Sequence, residues 1–339
     1  MKKLSPSLYC FILLLFVSCS ALKAQLIKQL EQGKPTSTRG LSVVDDSIAW
    51  LSGSKGYIAV THNGGKVWAW QQVKGFEKAD FRDIEAFSDK EAIIMSSGTP
   101  ALILKTTNGG ATWKVNYNNA DTTYFLDAMD FDFPSHGLVL GDPIRNKFLL
   151  LETNDGGETW HPFKNQPDAL PGEAAFAASG TCLRVINGKL LIASGGNSTR
   201  LLTYTANSNL WSYTNLPIIH GKASQGAFSL AVGEKEGILV GGDYMHDKKI
   251  DSVVCYHTLP FVNNFNLSTA GPAGFQSCIE FICNSSFIST GTSGTNITTD
   301  GGKNWLKIDE ISYNVCRRAR HGKLVLLAGN GGKTGILKQ

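Results

Sequence analysis

The sequence predicts an all-β protein: a seven-bladed β-propeller of four-stranded antiparallel blades, closed by the N-terminal strand completing the last blade. Three repeats in the 339 residues predict it. The first is the phrase Thr61-His62-Asn63-Gly64-Gly65-Lys66-Val67-Trp68, which returns at Thr106–Trp113, Thr153–Trp160 and Thr298–Trp305, with a worn copy from Thr205 to Trp211. Its tryptophans are separated by 45, 47, 51 and 94 residues, the last being a double step over a decayed copy. The second repeat is a small-residue turn at Gly53, Gly98, Gly141, Gly195, Gly241, Gly291 and Gly329. The third is a short strand before each turn, beginning near Arg39, Phe81, Phe125, Phe176, Phe228, Phe275 and Tyr313. Both of these count seven. A period of this size marks stacked or radially arranged units, and four-stranded sheets repeated radially are propeller blades.

Each unit reads strand A, strand B, Gly turn, strand C, the tryptophan phrase, strand D. Apolar runs such as Tyr57-Ile58-Ala59-Val60 and Leu102-Ile103-Leu104 read as the C strands. Asn-Gly, Asp-Gly and Gly-Gly pairs then supply the positive φ that tight hairpins require. The Asn or Asp oxygen and the Thr hydroxyl can accept amide hydrogens of the turn, and the Trp buries a large ring beside it. The last unit ends in its third strand at Gly335–Gln339, and the spare strand Gln25–Leu30 is expected to complete it. Such closure protects sheet edges.

The chain divides into a signal peptide at 1–24 and a single propeller domain at 25–339. Lys2 and Lys3 form the charged end, Leu8 to Val17 is the apolar stretch, and cleavage is expected after Ala24. Lipoprotein processing at Cys19 is the rival. Either route exports the protein to the periplasm, cell surface or medium, and membrane contact is expected only if Cys19 is lipidated. Removing Lys2, Lys3 and Lys23 takes the formal charge from +4 to +1. A nearly neutral surface argues against nucleic acid as a partner. The remaining cysteines are Cys182, Cys255, Cys278, Cys283 and Cys316, an odd count. Cys278 and Cys316 fall at matching places in neighbouring inner strands and are expected to pack as buried thiols. No Cys/His spacing suggests a metal, and no cofactor motif is present.

The phrase resembles the Asp-box, or BNR repeat. Asn63, Trp68, Asn108, Trp113, Asp155, Trp160, Asp300 and Trp305 are therefore expected to be structural, as the Asp-box is a hairpin remote from active sites in the families that carry it. Function is expected on the opposite face, formed by B–C turns and D–A crossovers, because individual loops on a rigid scaffold carry it. The candidate binding residues there are Arg39, Arg82, Asp83, Asp127, Asp142, Arg145, Asp243 and Tyr244, with Gln276 beside them. Arg39, Arg82, Asp83, Asp127 and Gln276 are placed at the channel mouth by the repeat alignment, where Arg and carboxylate groups suit an anionic or sugar ligand. Of the Arg317, Arg318 and Arg320 cluster, strand alternation sends at most one of Arg317 and Arg318 into the channel.

Arg82-Asp83-Ile84, Gly141-Asp142-Pro143, the stretch Pro171–Thr181 and Val240-Gly241-Gly242-Asp243-Tyr244, together with the Asp-boxes, resemble the photosystem II stability/assembly factor family. The last three of these stretches, Gly141–Pro143, Pro171–Thr181 and Val240–Tyr244, are similar to a secreted bacterial branch often labelled oxidoreductase. The resemblance implies an assembly scaffold that binds a protein partner or envelope complex without catalysis; a monomer with no cofactor is expected. The alternative is a glycoside hydrolase acting on a glycan, with Asp142, Glu173 and Asp243 as its acids. That chemistry needs two carboxylates flanking one bond. Redox catalysis ranks behind both.

Overall fold

The computed structural model describes residues 26–186, 188–260 and 264–338. The expected signal peptide, Gln25 and Cys19 lie outside them. The described chain is a ring of seven antiparallel blades. Blade 1 runs Thr38–Val43, Ala49–Gly53, Tyr57–Thr61 and Ala69–Gln72, and blade 2 runs Phe81–Ala86, Ala92–Ser96, Ala101–Thr106 and Lys114–Asn119. The remaining inner strands are Leu126–Phe133, Leu183–Ile186, Gln225–Val232, Cys278–Cys283 and Val315–Arg318. Middle strands are apolar on both sides because each blade is covered by a neighbour on both faces. Ala92–Ser96 and Ala101–Thr106 are buried throughout, whereas every residue of the outer strand Lys114–Asn119 is exposed or half-buried.

The spare strand behaves as expected. Ile27–Glu31 pairs antiparallel with Thr334–Leu337, Ile27 facing Leu337, and becomes the fourth strand of blade 7. Ile27 is fully buried. One inner strand departs from expectation. In blade 4 it begins at Leu183 and not near Phe176. The residues before it are drawn away because Glu173–Ala174 pairs with Gly195–Gly196, and Gly195 pairs in turn with Gly226 of blade 5.

The Asp-box turns form one hydrogen-bonded unit four times over. In blade 3, Gly157 donates its amide to Thr153 Oγ1 at 2.8 Å and Thr159 donates to Asp155 Oδ1 at 2.9 Å. Asn63 and Asn108 accept the equivalent bond at 2.9 Å, so the amide oxygen replaces the carboxylate. The second glycine has a further use. A Cβ on Gly157 would stand 2.5 Å from Ile93 of blade 2, and one on Gly302 would stand 2.7 Å from Ile238 of blade 5. The turn is therefore where one blade seats against the preceding one. Trp160 packs edge-on to Phe131 of its own blade at 6.0 Å, and Phe131 meets Phe87 of blade 2 across the seam with ring centres 5.2 Å apart.

A second set of contacts joins the inner strands around the channel. Each has an edge of backbone groups with no sheet partner, and buried amides need one. Ser42 Oγ accepts from Ala86, Asp83 from Met129, Asp130 from Val185, Ser229 Oγ from Ile279, and Cys278 Sγ from Cys316. Backbone bonds from Leu230 to Thr181 and from Arg320 to Val43 complete the seven seams. Cys182, Cys255, Cys278 and Cys316 are buried free thiols, while Cys283 ends its strand beside the tight Asn284 turn and is exposed.

Three outcomes follow. Ile27→Ala should lower stability by about 2–5 kcal/mol in a denaturant titration, the range for emptying a packed core position. Asp155→Ala, which strips acceptors from Thr159 and Thr153, should cost about 1 kcal/mol. The third concerns pH. Burial raises the Asp83 carboxyl to about 7 and pushes Asp127, Asp130, Asp142 and Glu280 upward too. Such groups hold their protons more tightly when folded, so their contribution is full below the unfolded pKa and declines as pH rises through the folded one. Asp155 and Asp243 lie below their ordinary range and act in the opposite sense in stronger acid. The Cys278 thiol, which burial alone would raise but bonds with Cys316 bring to about 6, opposes the trend above that pH but is outnumbered by the raised carboxyls. Thermal melts should give a higher Tm at pH 5 than at pH 8, and a Tm that rises over this interval would contradict the assignment.

Candidate functional site

The B–C face is built around a plug. Residues 171–181, between blades 3 and 4, turn at Gly172 and then cross the mouth of the channel. Their base is an ion pair. Glu173, whose side chain has no exposure, receives Arg200 Nε at 2.9 Å and Nη2 at 2.5 Å, Ser194 Oγ at 2.5 Å and the Leu170 amide at 2.8 Å. Arg200 also lies over the Tyr213 ring at 4.6 Å. A pair this well satisfied offsets its desolvation.

From that base the chain meets five blades. Arg39 of blade 1 donates to the Ala178 carbonyl at 3.4 Å, and Arg82 of blade 2 reaches the Ala177 carbonyl at 3.5 Å. Asp142 of blade 3 accepts from Ala175 at 3.3 Å. Thr181 Oγ1 lies 2.5 Å from Ser229 Oγ of blade 5, and Ser179 donates to the Ser277 carbonyl of blade 6 at 2.8 Å. Ala177 to Thr181 are all buried, and small residues are required there. A Cβ on Gly180 would stand 2.2 Å from the Asp83 carboxylate. The expected open channel mouth is thus filled by the protein's own backbone.

The candidate residues separate accordingly. Arg39 and Arg82 converge at the plug, both half-buried, with Asp80 bonded to Arg82 at 2.7 Å. Burial and the nearby Arg82 charge lower the Arg39 pKa. Asp83 does not face a ligand, since it is 1% exposed and caps the Ile84 and Met129 amides. Gln276 is corrected in the same way: it lies inside blade 6, bonded to Ser289 and Asn296. Asp127 and Asp142 form a carboxyl pair. Asp127 is held well above the ordinary range by burial and then by Asp142, and no donor reaches either of its oxygens in ordinary hydrogen-bond geometry. Arg145 is exposed and stands apart in the tight turn after Ile144, at φ +52°.

Asp243 caps the short 3-10 turn Tyr244–His246, accepting from Met245, Gln225 and His246 at 3.0–3.1 Å. Tyr244 is thereby set over an aromatic shelf. Phe176 stacks on Phe228 with ring centres 3.7 Å apart, and Phe275 and Tyr244 meet Phe228 edge-on. Tyr244 is 48% exposed and Met245 69%. Of the three acids considered for hydrolysis, Glu173 is engaged by Arg200 and Asp243 by its three donors.

A groove absent from the sequence reading lies beside Arg82. It encloses about 680 Å³ between Gly75–Asp80 and the Ser96–Pro100 turn, with Leu102 and Val115 on its wall. Asp80 belongs both to this groove and to the Arg82 ion pair. The Ser97-Gly98-Thr99-Pro100 run was the available signal, but it reads as an ordinary turn until the preceding crossover is placed against it. Among the described residues, no group of three or more His, Cys, Asp or Glu side chains is arranged to hold a metal ion.

Comparison with known proteins agrees with this architecture. The family described as "Photosynthesis system II assembly factor YCF48" matches residues 27–120, the closing strand and the first two blades. The photosystem II assembly lipoprotein Ycf48 of Synechococcus sp. (strain CC9902) is 31% identical over 125 residues, 35% of this chain and 34% of that protein. The match therefore spans about a third of the curated relative. Two solved structures are similar along the whole propeller. "YCF48 bound to D1 peptide" has a TM-score of 0.67 at 14% identity, covering 94% of this chain and 99% of that one. Ycf48 from Cyanidioschyzon merolae has 0.65 at 15% identity, covering 92% and 98%. The protein is a seven-bladed Asp-box propeller that resembles the photosystem II assembly factors.

Proposed function

We propose that this protein is an exported, non-catalytic scaffold that binds a protein partner on its plugged face. The plug is the observation that carries the reading. It removes the deep central opening that a small substrate would enter, and it leaves a rigid surface of two positioned arginines, a groove and a half-exposed aromatic shelf. Interfaces concentrate their energy in such Arg, Tyr and aromatic anchors. The engagement of Glu173 and Asp243 tells against the hydrolase alternative, which needs two carboxylates free to act on one bond. The similar propeller described as bound to a D1 peptide supports a peptide segment as the class of ligand. Export rests on the charged and apolar leader, and the curated relative named a lipoprotein supports an envelope setting.

The test is affinity capture of the tagged protein from its own cell envelope, with mass spectrometry of what co-purifies. A specific protein partner should be recovered with the wild-type chain and lost, by at least about tenfold, when Arg39 and Arg82 are both changed to Glu or when Tyr244 is changed to Ala. Asp155→Ala, on the opposite face, should retain it. Recovery of the same partner by all variants would place the contact elsewhere, and glycan cleavage by the clean protein would replace the scaffold reading.

A further inference from the structure

The end of the channel opposite the plug contains a separate cavity of about 220 Å³. Arg184, Arg317, Arg318, Arg320, Asp130 and Glu280 line it. Arg317 and Arg318 are adjacent in the paired strand Val315–Arg318, so alternation sends their side chains to opposite faces. Arg317 is the one held against the next inner strand, while Arg318 donates to the Gly322 carbonyl and touches the cavity only at its rim.

Arg184 and Arg317 are held alike. Each donates Nε to a carbonyl of the next inner strand at 3.3 Å, Arg184 to Leu230 and Arg317 to Leu41. That bond fixes the plane of each guanidinium and turns its outer nitrogens toward the cavity. Arg317 Nη2 pairs with Glu85 at 2.9 Å, and Arg320 pairs with the other Glu85 oxygen. The other approaches are wide. Arg184 stands 3.9 Å from Asp130 and 3.6 Å from Glu280, and Arg317 Nη1 stands 3.8 Å from Glu280. None of these three is a hydrogen bond. Asp130 is turned away by its 2.6 Å bond from the Val185 amide. Arg184 and Arg317 are both over nine-tenths buried, so their donors have little bulk water to use instead.

We propose that this cavity binds a small free oxyanion, gripped between Arg184 and Arg317, with Glu280 as the internal competitor. Guanidinium forks match carboxylate and phosphate oxygens in pairs. The cavity admits a group of that size, and four arginines meet two carboxylates on its wall and a third, Glu85, behind Arg317 and Arg320. A tetrahedral anion and a small dicarboxylate share this chemistry, and separate titrations distinguish them.

The experiment is calorimetric titration of the full mature protein with sodium phosphate, sodium sulfate and sodium malonate in turn, with chloride maintaining ionic strength. At least one should bind in a 1:1 ratio with Kd below about 1 mM. Arg184→Gln should weaken that binding by about tenfold or more, and Glu280→Gln should strengthen it by about tenfold, because a negative charge beside the anion is removed. Binding of phosphate and sulfate alone assigns a tetrahedral ligand, and binding of malonate alone assigns a dicarboxylate. Glu280→Gln keeps the test decisive if Arg184→Gln does not fold. Absence of saturable binding by all three anions, or an affinity unchanged in Glu280→Gln, would overturn the proposal. Partner capture on the plugged face should be the same in both variants, so this site and the scaffold reading fail separately.

Discussion

A propeller has seven inner strands whose channel-side edges are left without a sheet partner, and the organisation of this molecule depends on how those edges are satisfied. Side chains do most of it. A serine, an aspartate or a cysteine on one strand caps an amide of the next. These groups must be short, because the strands converge, and must accept a hydrogen bond in a place that water barely reaches. An unmet amide there costs roughly 1–3 kcal/mol. The raised pKa values of Asp83 and Asp130 are the electrostatic result of using carboxylates for the task at full burial.

The same constraint makes the two ends of the channel different. At one end the chain supplies a run of Ala, Ser, Gly and Thr small enough to thread between the inner strands, and the arginines there bond to its carbonyls. At the other end long arginines gather; Glu85 pairs closely with Arg317 and Arg320, while Arg184 and Arg317 Nη1 meet Asp130 and Glu280 only at a distance. One end is a finished surface, suited to contact by something larger. The other retains hydrogen-bond donors turned into a small enclosed volume.

What could be read from the sequence follows from the range of the interactions. The Asp-boxes were legible because the Thr and Asp or Asn side-chain bonds that shape the turn lie within four residues, as from Thr153 to Gly157. The blade count and the closing strand were legible because they follow from periodicity. The plug was quoted as a motif but read as the start of an inner strand, since Phe176 occupies the place that Phe81 and Phe275 occupy in other blades. Its true role depends on Arg39, Arg82, Ser229 and Ser277, four residues scattered across four blades. Asp83 and Gln276 were placed on the correct level of the channel, but alternation alone could not show that their side chains point between and within blades. Of the candidate site, the arginines and Tyr244 were legible, and the groove at Phe76 and Pro100 was not.

The pairing of Ile27 with Leu337 also sets an order of events. A chain made from its N-terminus produces its first strand at the start and that strand's partner only about three hundred residues later, and contacts so distant in sequence form slowly. Until then blade 7 lacks its outer-strand pairing and blade 1 lacks one of its two neighbours. Closure of the ring therefore waits on that last pairing, and until it forms blades 1 and 7 each leave one apolar face uncovered, the stage at which the chain is most exposed to aggregation.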